Sequence, residues 1–320
     1  MTALPTATSR VLPTTLAGVH RMINAEWSRI NAASRCHTFR VPKRPKLLGS
    51  SHKVELGSKL GVWTAVLYLA PADESGRNVC AWATESIIGT GGTRVDGGCK
   101  DTCLATTPDE DGVGGTGRMY VNADHCANAR GWKTALYFGD RELFFALLGM
   151  ELAAHERKAS KLGKIAAVRL DGSSDLGIGR KVAPSFPGVR FYDYSKSVTR
   201  ALRNARGGDV GNYHVTFSHS GRNVEECRTV LAAGGNVAVA FDVEPCAAWN
   251  GLKPGVLPAS WLDAPVLDGD VSDVRFADPS GHVVGLRFKG SPSTRTAWEL
   301  ARAAAGSFVV AVSDDLAVAA

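Results

Sequence analysis

Four apolar segments begin at Ile165, Val189, Tyr213 and Val237, each 24 residues after the last. Their β-branched and aromatic content predicts strands over 165–170, 189–194, 213–217 and 237–241. The residues between two pairs of them predict helices over 197–205 and 223–233, the second with Asn223 at its N-cap and Gly234 at its close. Alternation at this period is the pattern of parallel βα units, because a parallel pair needs a crossover long enough to hold a helix. Further candidates are a strand over 62–69 ending at Pro71, a weak one at Val266 and Leu267, and good ones over 282–288 and 308–312. A helix over 294–305 precedes the last. The expected fold class is α/β: a TIM-barrel-like (β/α) barrel of six to eight parallel strands, with an open doubly wound sheet as the rival. No Gly-x-Gly-x-x-Gly turn follows the first strand, and the spacing is even; both favour the barrel.

Two stretches break the pattern. Residues 1–60 read as a basic arm ahead of a barrel domain over 61–320. Within the arm, Val19, Ile23, Trp27 and Ile30 recur at helical spacing over 16–33. Beyond it, seven basic residues between Arg35 and Lys59 face one acid, Glu55. That run is either a solvated face or a contact for phosphates, and so for nucleic acid. The second stretch, 72–131, is a long glycine-rich loop after the first strand, and loops of that length in compact domains are usually functional or disordered. A helix capped by Asp140 follows, with lysines near its C-terminal end.

Composition narrows the function class. Apolar residues make up 44% and charged residues 21%, which excludes a disordered chain. Thirty-seven basic against 31 acidic residues leave +6, a balance that permits an anionic partner without demanding one. No run of 18 apolar residues exists, so no membrane span is expected. Residues 1–13 lack the apolar stretch of a secretory signal, which places the expected site of action in a reducing cytosol. The seven cysteines are then expected as thiols or metal ligands rather than disulfides.

Cys80, Cys99 and Cys103 fall in the long loop with spacing C-x18-C-x3-C. Three thiols on one loop can converge on a metal without moving the scaffold, and thiolate ligation favours zinc or an iron–sulfur cluster. Zinc would want a fourth ligand, for which His125, Cys126 or His37 could serve. Cys36, Cys126, Cys227 and Cys246 are dispersed, and Cys227 reads as a core residue. The strand ends are polar, and chemistry in parallel barrels collects at the C-terminal ends of the strands. The rim candidates are Arg169, Asp171, Ser195, Lys196, Ser218 and His219. Ser173, Ser174, Asp175, Asp193, Tyr194, Ser220, Asp242 and Glu244 lie beside them, followed by the acidic run Asp268, Asp270, Asp273, Asp278 and then Lys289. Turn and cap chemistry is the plain alternative for any one of these.

Several blocks carry a resemblance. They are Cys-Lys-Asp-Thr-Cys-Leu (99–104), Val-Arg-Leu-Asp-Gly-Ser-Ser-Asp (168–175), Phe-Tyr-Asp-Tyr-Ser-Lys (191–196), the His-bearing block 212–220 and the Asp-rich block 268–290. In this order, over about residues 60 to 312, they resemble the gene product 88 family of tailed bacteriophages and prophages. The resemblance implies a phage protein of the host cytoplasm with a cysteine-ligated cluster, expected as [4Fe-4S], on a barrel similar to that of radical enzymes that use S-adenosylmethionine. It carries Cys80, Cys99 and Cys103 over as cluster ligands. Those enzymes usually show C-x3-C-x2-C, whereas here Thr106 stands three residues after Cys103 and the remaining cysteine lies far upstream; S-adenosylmethionine is therefore not carried over.

Three functions compete at this stage. The first is an iron–sulfur protein of redox or radical type, with Arg169 and Lys196 holding a carboxylate or phosphate of a small-molecule ligand. The second is a nucleic-acid-associated protein with a structural metal and a phosphate-binding arm. The third, ranked last, is a metal-free hydrolase built on His219 and the acidic run.

Overall fold

The structure is a computed structural model that describes residues 10–32, 34, 38–50, 57–84, 87–88, 94–96, 98–100, 103, 123–208, 210–243, 255–288 and 308–312. Cys36, His37, Glu244, Cys246, Lys289 and the expected helix 294–305 lie outside these residues. The strands are β1 Val62–Val66, β2 Ile87–Ile88, β3 Arg94–Asp96, β4 Ile165–Arg169, β5 Val189–Ser195 and β6 Tyr213–Ser218. They continue with β7 Asn236–Phe241, β8 Ser260–Trp261, β9 Ala264–Asp268, β10 Val283–Arg287 and β11 Val309–Val310. The four evenly spaced segments are β4 to β7, so the 24-residue period is a repeat of real βα units.

Nine strands form one mixed sheet in the order β1-β4-β5-β6-β7-β10-β9-β8, with β11 beside β7. Every pairing in it is parallel except the terminal hairpin of β8 and β9. β2 and β3 make a separate antiparallel pair. Among the described residues no pairing joins the two ends of the order. The outer edge of β1 instead takes an antiparallel bridge from Gly49 to Val66. The sheet is therefore mostly parallel, as expected, and is not closed by these pairings. β7 also forks: its Ala240 pairs with Leu286 of β10 on one side and Val309 of β11 on the other, above the point where β6 diverges.

The pleat sorts side chains onto two faces. Val168 of β4, Phe191 of β5 and Val215 and Phe217 of β6 enter the main core with the helix Arg141–Lys161. Asp140 caps that helix by accepting the Leu143 N–H at 3.0 Å. The other face carries Ala167 and Arg169, Tyr192 and Tyr194, then His214 and Thr216. It is covered in part by Val274 and Phe276, which pack with Ala167 and Tyr192.

The residues before the sheet are not a loose appendage. The expected helix is two helices, Leu16–Ala25 and Trp27–Asn31, and Val19, Ile23 and Ile30 are fully buried in the main core. Glu151 accepts the Leu47 and Leu48 N–H groups, both at 2.8 Å, and so ties this segment to the long helix.

One expectation is corrected. The stretch 72–131 contains a short helix at Ala72–Ser75 and the first half of a long helix, Ala123–Gly139. Gly131 in that helix argues against it locally, since glycine costs about 1 kcal/mol in a helix interior. Its reason is tertiary: a Cβ there would stand 2.0 Å from a ring carbon of Phe39. The chain around Phe39 runs against the helix, with Asn128 bonded both ways to the Arg40 backbone, at 2.7 and 2.9 Å.

Candidate functional site

Cys80, Cys99 and Cys103 line one cavity of about 380 Å³. The C-terminal ends of β4 and β5 and the loop after β4 add Arg169, Asp171, Asp175, Tyr194 and Lys196, while Pro71, Ala72, Asp73, Asn78 and Lys100 also line it. Arg169 and Tyr194 fall on one face because the registers of β4 and β5 alternate together across the pleat, and Lys196 follows directly after β5.

The loop after β4 holds the cysteine loop in place. The Asp175 N–H donates to the Val79 carbonyl at 2.8 Å, one residue before Cys80. Ser173 bridges the Leu69 N–H and carbonyl at 2.9 and 2.7 Å. The approach of this loop to β1 demands glycine at 172, where a Cβ would meet the Leu67 carbonyl oxygen at 2.8 Å. Thr84 supports Cys99: its backbone N–H lies 3.4 Å from Cys99 Sγ, and its Oγ1 accepts the Cys99 N–H at 3.0 Å while donating to the Ser220 carbonyl at 2.7 Å. An N–H aimed at a thiolate sulfur favours its charged, ligating form.

The electrostatics of the wall are layered. Asp175 Oδ1 takes the Ser195 hydroxyl at 2.8 Å and the Arg200 guanidinium, and Oδ2 takes the Lys196 N–H at 2.8 Å. Asp171 accepts the Ser174 hydroxyl and the N–H groups of Leu176, Gly177 and Ile178 at 2.7–3.1 Å. Burial still pushes the Asp171 carboxyl up, against the pull of these donors. Beneath it, burial first and the Asp171 charge second push Asp193 well above the carboxylate range. Arg169 pairs with Asp273 at 2.8 Å and stacks over Tyr194 with its Cζ 4.9 Å from the ring centre. Burial by itself would lower the Lys196 ammonium, but Cys99, Cys80, Asp175 and Cys103 outweigh it and hold it above the ordinary lysine value. Burial raises the Cys80 thiol to about 11, so at neutral pH it is protonated unless a metal or cation draws the proton off.

Of the six rim candidates, Arg169, Asp171 and Lys196 line the cavity. Ser195 stands one layer behind, bonded to Asp175. Ser218 and His219 do not line it. Ser218 offers its carbonyl to Asn223 at 3.0 Å. His219 fills the fork between β6 and β11, stacked on Phe308 with its Nδ1 3.2 Å from the Phe308 carbonyl, and burial lowers its pKa to about 4. The acidic run is engaged by arginines: Asp268 and Asp270 by Arg287, Asp273 by Arg169, Asp278 by Arg275. Among the described residues this arrangement makes no His219–carboxylate pair, so the hydrolase reading has no support in the geometry. His125 and Cys126, considered as a fourth ligand, sit on the helix Ala123–Gly139 and are not in the cavity wall. Among the described residues no group of three or more His, Cys, Asp or Glu side chains is placed to hold a metal ion.

The gene product 88 family matches residues 43–305, most of the chain and every residue of the cavity wall. The chain belongs to the gene product 88 family. The blocks 99–104, 168–175 and 191–196 all contribute to that wall. No curated protein and no solved structure matches the chain. No helix among the described residues of this phage family member is long and apolar enough to cross a membrane.

Sequence reasoning passed over Thr84 and underrated Asp175. Nothing local marks Thr84, whose role depends on Ser220 lying beside it. Asp175 carried a faint signal, the second acid of the Asp171–Asp175 block after a strand.

Proposed function

We propose that this phage protein binds an iron–sulfur cluster through Cys80, Cys99 and Cys103, at the C-terminal end of a barrel-like parallel sheet, and acts in redox or radical-type chemistry in the host cytoplasm. The observation that carries the reading is the gathering of all three cysteines on one cavity wall with Lys196 and Arg169. What supports it is the chemistry of the side chains gathered there: three thiols, an N–H directed at Cys99 Sγ, and the cationic Lys196 and Arg169. A single zinc would need its ligands drawn to about 2.3 Å of one point. When bound, the cluster supplies one-electron transfer or a Lewis-acidic iron. The chain's own residues shield the cavity, fix the cysteine loop through Asp175 and Thr84, and hold Lys196 charged.

Anaerobic purification tests this reading. Iron and acid-labile sulfide with broad absorption in the blue are expected, and Cys99→Ala or Cys103→Ala should abolish both. Iron retained in both variants would refute the ligand assignment, and one equivalent of zinc without sulfide would make the metal structural. The nucleic-acid reading retains one favouring observation, the exposed series Arg40, Lys43, Arg44 and Lys46. Charge reversal there should flatten the salt dependence of any nucleic-acid binding.

A further inference from the structure

We propose that the cavity holds an oxyanion subsite beside the cysteines, in which Lys196 Nζ and Arg169 Nε bind the carboxylate or phosphate of a small molecule. The inference uses the same cavity as the cluster reading and does not depend on it.

The wall keeps cationic donors in reserve, set among the carboxylates of Asp73, Asp171 and Asp175. Its buried acids are already satisfied. Asp175 is bonded to Ser195, Arg200 and the Lys196 backbone, and Asp171 to one hydroxyl and three backbone N–H groups. The Lys196 side chain lines the cavity, and no described residue gives its ammonium a hydrogen bond or an ion pair. Arg169 gives one guanidinium nitrogen to Asp273, but its buried Nε–H has no hydrogen-bond partner among the described residues. Lys196 is half-buried, and a donor such as Arg169 Nε withdrawn from water without a partner is costly to the fold. A bound anion removes that cost, and a charge-assisted bond from each group would orient it.

The two groups are also held ready. The Lys196 backbone is fixed by Asp175, and the next residue donates its N–H to Ser195 Oγ at 3.0 Å. The Arg169 guanidinium is clamped between Asp273 and the Tyr194 and Tyr192 rings. Such preorganisation lowers the ordering cost of binding. A volume of about 380 Å³ is near the lower end for ligand cavities, which restricts the ligand to a small acid or phosphate ester.

The test is calorimetric titration of the full chain with inorganic phosphate and, separately, with acetate, iron and sulfide being measured on the same samples. Saturable one-to-one binding of at least one anion is expected. Lys196→Met should weaken it at least about tenfold, and Lys161→Met, exposed and outside the cavity lining, less than about twofold. Phosphate alone binding points to a phosphate ester, acetate alone to a carboxylate. A variant-free measurement guards against a misfolded Lys196→Met: the bound anion should protect Lys196, and not the exposed Lys161, from acetic anhydride in peptide mass spectra. Neither anion binding, Lys196→Met binding as tightly as the wild type, or Lys196 modified equally with and without anion would each overturn the proposal. Iron absent from every sample would sink the cluster reading and leave the anion result standing. Iron lost from Lys196→Met with anion affinity unchanged would assign the lysine to the metal and overturn the subsite.

Discussion

Asp175 and Lys196 are joined by a 2.8 Å bond from the Lys196 N–H to Asp175 Oδ2, while the Asp175 N–H reaches back 2.8 Å to Val79, next to Cys80. One buried residue thus sets the position of both the cavity's lysine and its cysteine loop. Asp175→Asn removes the charge facing Arg200 and keeps the shape. Breaking a buried pair from one side costs about 3–5 kcal/mol. Arg200 keeps some solvent contact, so a loss of about 3 kcal/mol in urea unfolding is expected, together with weaker metal retention. A loss below about 1 kcal/mol would contradict the hub role.

Thr84→Val removes the hydroxyl that accepts the Cys99 N–H and donates to Ser220. Each lost bond is worth about 1 kcal/mol, and the stranded Cys99 N–H adds to the cost. A total of about 2 kcal/mol is expected, with a shifted reduction potential in iron-loaded protein. An unchanged potential would show that Thr84 supports the loop alone.

His219 gives a pH signature. Its pKa is about 4 in the fold against the ordinary 6.5, so the unfolded chain binds more protons between those values. Its contribution to stability is therefore complete above about pH 6.5 and is lost as pH falls toward 4. His219→Phe keeps an aromatic ring against Phe308 and should flatten this part of the acid limb relative to wild type. Superimposable acid limbs would refute the assignment.

Asp193 works in the opposite direction. Its carboxyl is raised in the fold, so the folded chain retains a proton that the unfolded chain has released above about pH 4. Stability then falls as pH rises through that window. Asp193→Asn keeps an oxygen for the Asp171 N–H, which now lies 2.8 Å from Oδ1, and should be neutral or stabilising near pH 7. Destabilisation by the Asn variant at neutral pH, with no gain relative to pH 4, would indicate that Asp193 is ionised in the fold.

Ile23→Ala tests the packing of the N-terminal helices. A fully buried isoleucine truncated to alanine costs about 2–5 kcal/mol. A change below about 0.5 kcal/mol would mean that these helices do not share the core. Deleting residues 1–45 would remove Val19 and Ile30 as well and should leave insoluble protein.

Local and periodic features of this chain follow from its residue order alone. The spacing from Ile165 to Val237 located β4 to β7 because alternating strands and crossover helices are fixed by short-range pattern. Asp140, Ser197 and Gly234 marked helix ends because capping is a matter of a few neighbouring backbone groups. Chemistry at the ends of β4 and β5 was legible as well, since parallel units bring strand ends to one side. The long helix around Gly131 was not, because its glycine answers to Phe39 from the arm rather than to its own neighbours. Nor could sequence separate Lys196 and Arg169 from Ser218 and His219. That choice rests on the Asp175–Val79 and Thr84–Ser220 bonds, which close long loops and carry no periodic trace. Whether a polar strand end faces a cavity or a packed fork such as that of β6, β7 and β11 is decided only when distant segments meet.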